Sequence, residues 1–214
     1  MQNLYSYIVK WDFGFSPNPF WGRMTLNCCK PPIRRTAKKG DWVVGFGSTK
    51  VIREMKRDII NYSGKLVFAM KVADTIPMSK YYDMCIESHN PLHNKIPSSD
   101  GDWRLKVGDC IYKFGSRLND PELLPSIHCP SDSAKDLRGL NTLLADEYYY
   151  FGASPKEAPS NLKTLINQNI GYLPCADETM ISNIVSWVRS LPFDKMDLAE
   201  PQLKCDIDLY YNRK

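Results

Sequence analysis

Residues 40–48 carry the sequence GDWVVGFGS, in which a Gly-Asp pair precedes a short, almost wholly apolar run. Bulky and β-branched side chains bounded by glycine predict a strand over 42–46 that is buried on both faces or lines a barrel. The glycines within and after this strand leave room for a ligand or another backbone to approach closely. By the same criteria, residues 65–73 (KLVFAMKVA) and 4–10 (LYSYIVK) predict two further strands.

Helix signals become stronger toward the C-terminal end. Residues 143–151 (LLADEYYYF) still predict a sheet segment, whereas apolar residues over 180–191 recur at helical spacing on one face. Asp177 or Thr179 is available to cap that helix, and Pro192 ends it. We therefore expect one α+β domain over 1–214, with a mixed or antiparallel, barrel-like sheet and a helical C-terminal part.

The overall composition is that of a globular protein and narrows the function classes. The 214 residues are 43% hydrophobic and 24% charged, and the net charge of +4 is lower than that of a typical DNA-coating protein. There is no 18-residue apolar run, and the first residues lack the pattern of a signal peptide. These features predict a cytoplasmic protein with no membrane partner.

Metal sites and cofactors are not expected. The seven cysteines are odd in number and include no CxxC pair, which favours reduced thiols over a disulfide framework or a zinc site. His89 and His93 have a metal-ligand spacing, but Pro91 between them opposes the helix that this spacing requires. No glycine-rich phosphate loop or dinucleotide fingerprint occurs either.

The segment 12–48 has the most distinctive chemistry of the chain. No acidic residue lies between Asp12 and Asp41, while six cationic residues are interleaved with aromatic ones. Lysine and arginine bind phosphate and flat rings stack on a base, so the pattern predicts a cleft within 15–48 for a planar anion such as a nucleotide. The alternative is a solvated basic loop whose rings belong to the core. The predicted nucleotide- or nucleic-acid-binding residues are Asn18, Phe20, Trp21, Lys30, Arg34, Arg35, Trp42 and Ser48.

The adjacent Arg34 and Arg35 are the strongest candidates for phosphate binding, because a guanidinium can donate two parallel hydrogen bonds. In a strand over 33–36, one of them would face the cleft and the other solvent. The alternative is that one arginine pairs structurally with Asp41 or Asp12.

Three residues are weaker candidates for acid–base catalysis. Asp41 and Asp109 each follow a glycine just before a predicted strand, where a carboxylate more often accepts backbone N–H bonds in a turn than serves as a general base. His128 lies in an irregular polar segment near Cys129 and Asp132, which suits a functional loop and equally suits a surface histidine.

Several blocks of the chain, taken in order, resemble one known family. The blocks LYSYIVKWDFGFSPNPFWG, CKPPIRRTAKKGDWVVGFGS, GKLVFAMKV, GDCIY, EYYYFG and AEPQL are similar to the nucleotide modification associated domain 2 family of bacteria and phages, over about residues 4–203. The family's shared positions would here be Asn18, Pro19, Phe20, Gly22, Cys29, Lys30, Pro31, Arg34, Arg35, Gly40, Asp41 and Trp42. One departure is Gly171-Tyr172, where the resemblance leads us to expect a Gly-His pair.

The resemblance implies an association with nucleic-acid base modification, without implying a particular reaction. The Gly-Asp turns and short apolar strands also resemble, more weakly, PUA-like modules such as ASCH, EVE and YTH, which read modified bases. The leading hypothesis is a protein that recognises a nucleotide or a modified base in nucleic acid, associated with DNA modification or phage–bacterium conflict. The alternatives are an enzyme that transfers or removes a group on a nucleotide or nucleobase, and an accessory protein with an exposed apolar patch at Phe13, Phe15 and Trp21. The sequence leaves the oligomeric state open.

Overall fold

The computed structural model describes residues 2–53, 58–115, 120–166 and 171–211. The strands are β1 (Leu4–Val9), β2 (Met24–Leu26), β3 (Trp42–Gly47), β4 (Val51–Arg53), β5 (Asp58–Ile60), β6 (Lys65–Lys71), β7 (Asp74–Pro77), β8 (Tyr112–Lys113), β9 (Glu122–Leu123), β10 (Asn141–Ala145), β11 (Glu147–Tyr150), β12 (Lys156–Glu157) and β13 (Leu173–Cys175). The helices are α1 (Pro31–Thr36), α2 (Met78–Ile86), α3 (Trp103–Lys106), α4 (Ser133–Leu137), α5 (Glu178–Ser190) and α6 (Ile207–Tyr211). Short 3-10 turns occupy Pro91–Lys95, Pro130–Asp132, Ser160–Leu165 and Lys204–Asp206.

The main sheet contains six strands and is mixed. Its order is β11-β6-β3-β1-β13, with β12 pairing with another part of β6. β1 and β3 are parallel, with Leu4 opposite Trp42 and Val9 opposite Gly47, while the other pairs are antiparallel. The predicted α+β class, mixed sheet and C-terminal helix are therefore confirmed.

The barrel-like closure that we expected is wrong. A barrel requires the two end strands of a sheet to pair with each other. Among the described strands, β11 and β13 end the sheet without pairing to one another. β13 is three residues long and the chain turns almost at once into α5, so little strand is available for closure. The sheet is open.

Burial on both faces of the main sheet follows from the apolar sequence of β3. Val43 packs into a cluster with Tyr7 and Phe68 on one face. Val44 packs on the other face into a cluster that includes Ile184 of α5. Every residue of β3 is buried, as the sequence 42–46 predicted.

The parallel pairing of β1 and β3 requires a long crossover between them, because parallel neighbours cannot be joined by a tight turn. Residues 10–41 make this crossover and contain β2 and α1. β2 joins β10 and β7 in a second, three-stranded sheet. The basic and aromatic segment thus spans from one central strand to its neighbour.

Local sequence explains the two helices that bear on the site and the fold. α1 begins at Pro31 and Pro32, whose fixed φ suits the first turn of a helix, so 33–36 is helical and not extended. α5 is capped by Asp177, which accepts a 2.9 Å hydrogen bond from the amide of Met180. None of the helices in the described ranges has the length and apolar character needed to cross a membrane.

Candidate functional site

A cleft of about 420 Å³ lies where β1 ends. Its lining comes from residues 7–11 at the end of β1, from 29–32 at the start of α1 and from the segment 128–136, which includes most of α4. Ser16, Gly171 and Tyr172 complete it. Groups from four distant parts of the chain therefore converge on one concavity.

A lysine lies over a tyrosine inside the cleft. The Lys30 Nζ is 4.2 Å from the centroid of the Tyr7 ring and 3.4 Å from the Gly171 carbonyl oxygen. Burial lowers the pKa of Lys30; the nearby Cys29 opposes this shift, and the positive charge of Lys135 adds to it. Tyr7 is only 3% exposed, and its hydroxyl has no hydrogen-bond partner among the described residues. The cleft thus combines a partly desolvated cation with an unpaired buried hydroxyl.

The backbone that carries Lys30 has an unusual conformation. Cys29 and Lys30 have φ angles of 59° and 41°, a left-handed region that residues with side chains seldom adopt. Asp136 stabilises this turn, since its Oδ1 accepts a 2.8 Å hydrogen bond from the Cys29 amide. Burial raises the pKa of the Cys29 thiol to about 11, so the thiol is protonated at neutral pH.

Asp136 connects several groups at the wall of the cleft. Its Oδ2 accepts a 3.2 Å hydrogen bond from the Tyr112 hydroxyl and lies 2.6 Å from His128 Nε2. The His128 Nε2–Asp136 Oδ2 contact is an ion pair whenever the imidazole is protonated. The Arg34 Nη2 is 4.0 Å from Oδ1 and places a cation beside this carboxylate.

His128 is held between this carboxylate and an aromatic ring. Its side chain is 9% exposed and stacks on Phe15, with ring centroids 5.3 Å apart and planes 26° apart. His128 and the exposed Asp132 both line the cleft. This geometry fixes the imidazole at the wall, where it can hold or transfer a proton.

Arg34 does not reach the cleft. It is 0% exposed, and its guanidinium donates to the carbonyl oxygens of Cys29 at 2.8 Å, Asn141 at 2.8 Å and Asp136 at 2.5 Å. A Cβ at Gly139 would come within 2.4 Å of its Cζ, so only glycine leaves room for the guanidinium. Arg34 therefore joins α1 to the segment around α4 and β10.

Three other predicted binding residues lie near the surface, outside the cleft lining. Arg35 is exposed and donates a 3.3 Å hydrogen bond to the Arg138 carbonyl oxygen. Trp21 is half-buried, with the Arg104 guanidinium 4.9 Å from its ring centroid. The Ser48 hydroxyl accepts a hydrogen bond from an amide of its own loop. The structure does not bring these three residues together with Lys30, the one predicted binding residue in the cleft lining.

The remaining predicted residues lie in the interior. Asn18, Phe20 and Trp42 are 0%, 3% and 1% exposed. Phe13 and Phe15 are 8% and 6% exposed, so they do not form the exposed apolar patch expected of an accessory protein. These rings support the crossover segment from within.

Both predicted aspartates are engaged inside the protein. Asp41 accepts hydrogen bonds from the amide of Asn3 at 2.8 Å and from a second amide at 2.9 Å, which is the turn role considered for it. Asp109 is 0% exposed and accepts hydrogen bonds from the hydroxyls of Thr25 at 2.7 Å and Tyr81 at 2.6 Å. Of the three acid–base candidates, only His128 lines the cleft.

Sequence reasoning missed most of the cleft lining, and five of the missed residues bear on its chemistry. Tyr7 was assigned only to a strand, although alternation along β1 places its ring on the buried face with Tyr5. Trp11 and Lys135 lie outside the recognised patterns, and no local signal marks Asp136. Tyr172 stands at the position of the missing Gly-His pair and packs on Tyr5, with ring centroids 6.0 Å apart. In the described ranges, no group of three or more His, Cys, Asp or Glu side chains is placed to hold a metal ion.

A family model described as nucleotide modification associated domain 2 matches residues 1–207. The chain belongs to this family. The match confirms the family resemblance seen in the sequence and associates the protein with nucleotide modification. No curated protein and no solved structure matches the chain. The resemblance to PUA-like modules stays a prediction.

Proposed function

We propose that this member of the nucleotide modification associated domain 2 family recognises a nucleotide, or a modified base of nucleic acid, in the cleft at the end of β1. The observation that carries the proposal is the lining of the cleft, where the Lys30 ammonium and the rings of Tyr7, Trp11 and Tyr172 surround one concavity. Its volume of about 420 Å³ is within the range of small-molecule sites and suits a single nucleotide unit. The proposed role is in DNA modification or in conflict between phage and bacterium.

The cleft supplies two kinds of contact that a nucleotide needs. Cations attract its phosphate, while aromatic rings offer faces or edges to its base. Trp11 is 46% exposed at the cleft and Tyr172 is half-buried, so both rings are accessible to a ligand. Arg34 does not contact the ligand in this proposal. Its guanidinium donates to backbone carbonyl oxygens and so stabilises the residues around the cleft.

The test measures binding of free nucleotides and of plain and modified oligonucleotides to the wild type and to Trp11→Ala. Loss of one stacked base is worth about 1–3 kcal/mol, so we expect affinity to fall about 5- to 150-fold. The matched control is Trp187→Ala on α5, outside the cleft lining, which is expected to keep wild-type affinity. No detectable binding of any of these ligands would exclude the proposal.

A second candidate function is an enzyme acting on a nucleotide or nucleobase. The observation that favours it is the 2.6 Å contact between His128 Nε2 and Asp136 Oδ2 at the cleft wall. Asp136 would orient the imidazole, and the ring's other nitrogen, Nδ1, would hold or accept a proton from the substrate. Product profiling of wild type and His128→Ala tests it: turnover should disappear in the variant while binding persists, with Cys129→Ala as control. An absence of turnover on every nucleotide tested would remove this candidate.

A further inference from the structure

The cations of the cleft exceed its available acidic groups. Lys10, Lys30 and Lys135 line it, against Asp132 and Asp136. The carboxylate of Asp136 is engaged by donors from Cys29 and Tyr112 and lies beside the buried Arg34 guanidinium. Asp132 is therefore the one lining carboxylate without such internal partners among the described residues. The local balance favours an anionic ligand.

Lys30 has donor capacity that its described surroundings do not use. An ammonium has three N–H donors, and the one acceptor recorded for Lys30 in the described chain is the Gly171 carbonyl at a long 3.4 Å. No described carboxylate lies within 4.0 Å of its Nζ. Burial and the positive charge of Lys135 both lower the pKa of Lys30. An anion bound beside its Nζ would favour the charged ammonium and offset both shifts.

The Tyr7 hydroxyl, beneath the floor of the cleft, is a buried donor without a partner among the described residues. Tyr7 is 3% exposed, lines the cleft and lies directly under the Lys30 ammonium, yet its hydroxyl has no partner among the described residues. A buried polar group without a partner is uncommon and calls for an explanation such as a bound ligand. Burial, Cys29 and Asp12 all raise the pKa of Tyr7, so the phenol stays protonated and adds no negative charge beneath Lys30.

We propose that the cleft binds a terminal phosphate monoester of a nucleotide, with Lys30 and Lys135 as its cationic contacts above the ring of Tyr7. This inference rests on the proposed function and specifies its ligand. A phosphate monoester carries about −1.5 to −2 charges at neutral pH, which matches the three lining lysines once the Asp132 carboxylate offsets one of them. An internal phosphodiester carries a single negative charge and would leave one lysine uncompensated. The base then lies toward Trp11 and Tyr172.

The ligand chemistry has two possible sources, a free nucleoside monophosphate or the phosphorylated end of a nucleic acid. The experiment therefore compares a nucleoside, its 5′-monophosphate, and one oligonucleotide with either a 5′-phosphate or a 5′-hydroxyl end. We expect the monophosphate to bind about 10- to 100-fold more tightly than the nucleoside, since charge-assisted hydrogen bonds are lost with the phosphate. If the source is a nucleic-acid end, the phosphorylated oligonucleotide gains a similar factor over its 5′-hydroxyl form; if it is the free nucleotide, only the monophosphate binds tightly.

Two lysine variants assign this preference to the cleft. Lys30→Met should lower monophosphate affinity about 10- to 100-fold while changing nucleoside affinity less than about twofold. Lys135 is exposed, so Lys135→Met preserves the fold and should show the same selectivity with a smaller loss. Lys39→Met, an exposed lysine outside the cleft lining, is the matched control and should behave as wild type.

The outcomes separate this inference from the proposed function. If nucleosides bind as tightly as monophosphates, or if both lysine variants weaken the two ligands equally, the phosphate site is excluded while nucleotide recognition stands. Equal binding of the phosphorylated and hydroxyl oligonucleotides at the monophosphate's affinity also excludes it. If none of the four ligands binds and the modified oligonucleotides do not bind either, the proposed function itself fails.

Discussion

Arg34 is a fully buried arginine whose guanidinium is bonded to three backbone carbonyl oxygens. Two of these bonds connect α1 with residues more than 100 positions away, and the third, to Cys29, stabilises the turn that carries Cys29 and Lys30. The same guanidinium lies 4.0 Å from the Asp136 carboxylate and balances its charge. Its contribution is to hold the cleft in shape.

We expect Arg34→Met to lower the free energy of unfolding by about 3–5 kcal/mol, because it leaves buried carbonyls and a buried carboxylate without their partner. Arg34→Lys should recover little, since an ammonium cannot reproduce the guanidinium's planar set of donors. The measurement is urea denaturation, with the exposed Arg35→Met as control, expected within about 0.5 kcal/mol of wild type. A variant at 34 with wild-type stability but no nucleotide binding would contradict this structural role.

At this scale, sequence could identify residue types but not their surroundings. Arg34 and Arg35 are equivalent in the sequence, and the carbonyl groups that separate their roles belong to residues 136 and 141. His128 was recognisable as a candidate, whereas its partner Asp136 was not, because their contact depends on how the loop before α4 folds. Lys30 was predicted as a binding residue and lines the cleft, and its role in binding stays a prediction.

At the scale of elements, β3 requires a glycine at position 45, because the Phe68 ring packs directly against its Cα. A Cβ at Gly45 would lie 2.1 Å from Phe68 Cε1 on β6 and 2.6 Å from Val9 Cγ2 on β1. The close approach that the sequence suggested for this glycine is thus to core side chains of the two neighbouring strands. Gly47 is similarly restricted by the backbone of Tyr62, 2.4 Å from the position of its Cβ.

We expect Gly45→Ala to destabilise the protein by about 1–3 kcal/mol or more, because the added methyl overpacks the centre of the sheet. Thermal and urea unfolding would measure the loss. Gly115→Ala is the control, since a Cβ there meets no atom of the described residues within 4 Å, and it should be neutral or slightly stabilising. Combining Gly45→Ala with Phe68→Leu should recover part of the stability. If Gly45→Ala alone has wild-type stability, the Phe68 ring can move away from the added methyl and the prediction is wrong.

Elements with a strong local pattern were predicted well. β1, β3, β6 and α5 are each defined by neighbouring apolar residues and by caps within a few positions. α1 was not predicted, although Pro31 and Pro32 are a helix-start signal that the adjacent arginines obscured. Whether the sheet closes depends on pairing between strands that are far apart in the chain, and no local pattern encodes that.

At the scale of the whole molecule, Lys95 joins two distant segments through the core. It is 0% exposed, and its Nζ donates to Asn18 O at 2.9 Å, Asn18 Oδ1 at 2.7 Å and Arg23 O at 2.8 Å. These three acceptors use all three donors of an ammonium. Burial lowers the pKa of Lys95 to about 7, while the charge of Asp109 acts in the opposite direction.

The lowered pKa predicts how stability changes with pH. A lysine with a folded-state pKa of about 7 and an unfolded-state value of about 10.4 binds fewer protons when folded between these limits. The free energy of unfolding should therefore rise with pH above about 7, by at most about 1.4 kcal/mol per unit, and the full penalty applies below that pH. Urea unfolding at pH 6.5, 7.5 and 8.5 would measure it.

The variant Lys95→Met isolates this contribution. It removes the titrating group, so the stability difference between wild type and variant should grow with pH, although the variant also loses the three hydrogen bonds. The exposed Lys39→Met should follow the wild-type curve in parallel. Parallel curves for Lys95→Met and wild type would show that Lys95 keeps its charge throughout this range.

Because β1 and β3 are parallel neighbours, a ligand bound in the cleft should affect the opening of the central sheet. Tyr7 lies within β1, and the turn at Cys29 and Lys30 belongs to the connection that runs from β1 to β3. A ligand bound in the cleft contacts both this connection and β1. β1 and β3 therefore cannot separate unless the ligand dissociates. Amide protons in the middle of the sheet should then exchange with solvent deuterium more slowly as ligand saturation rises, although they do not contact the ligand.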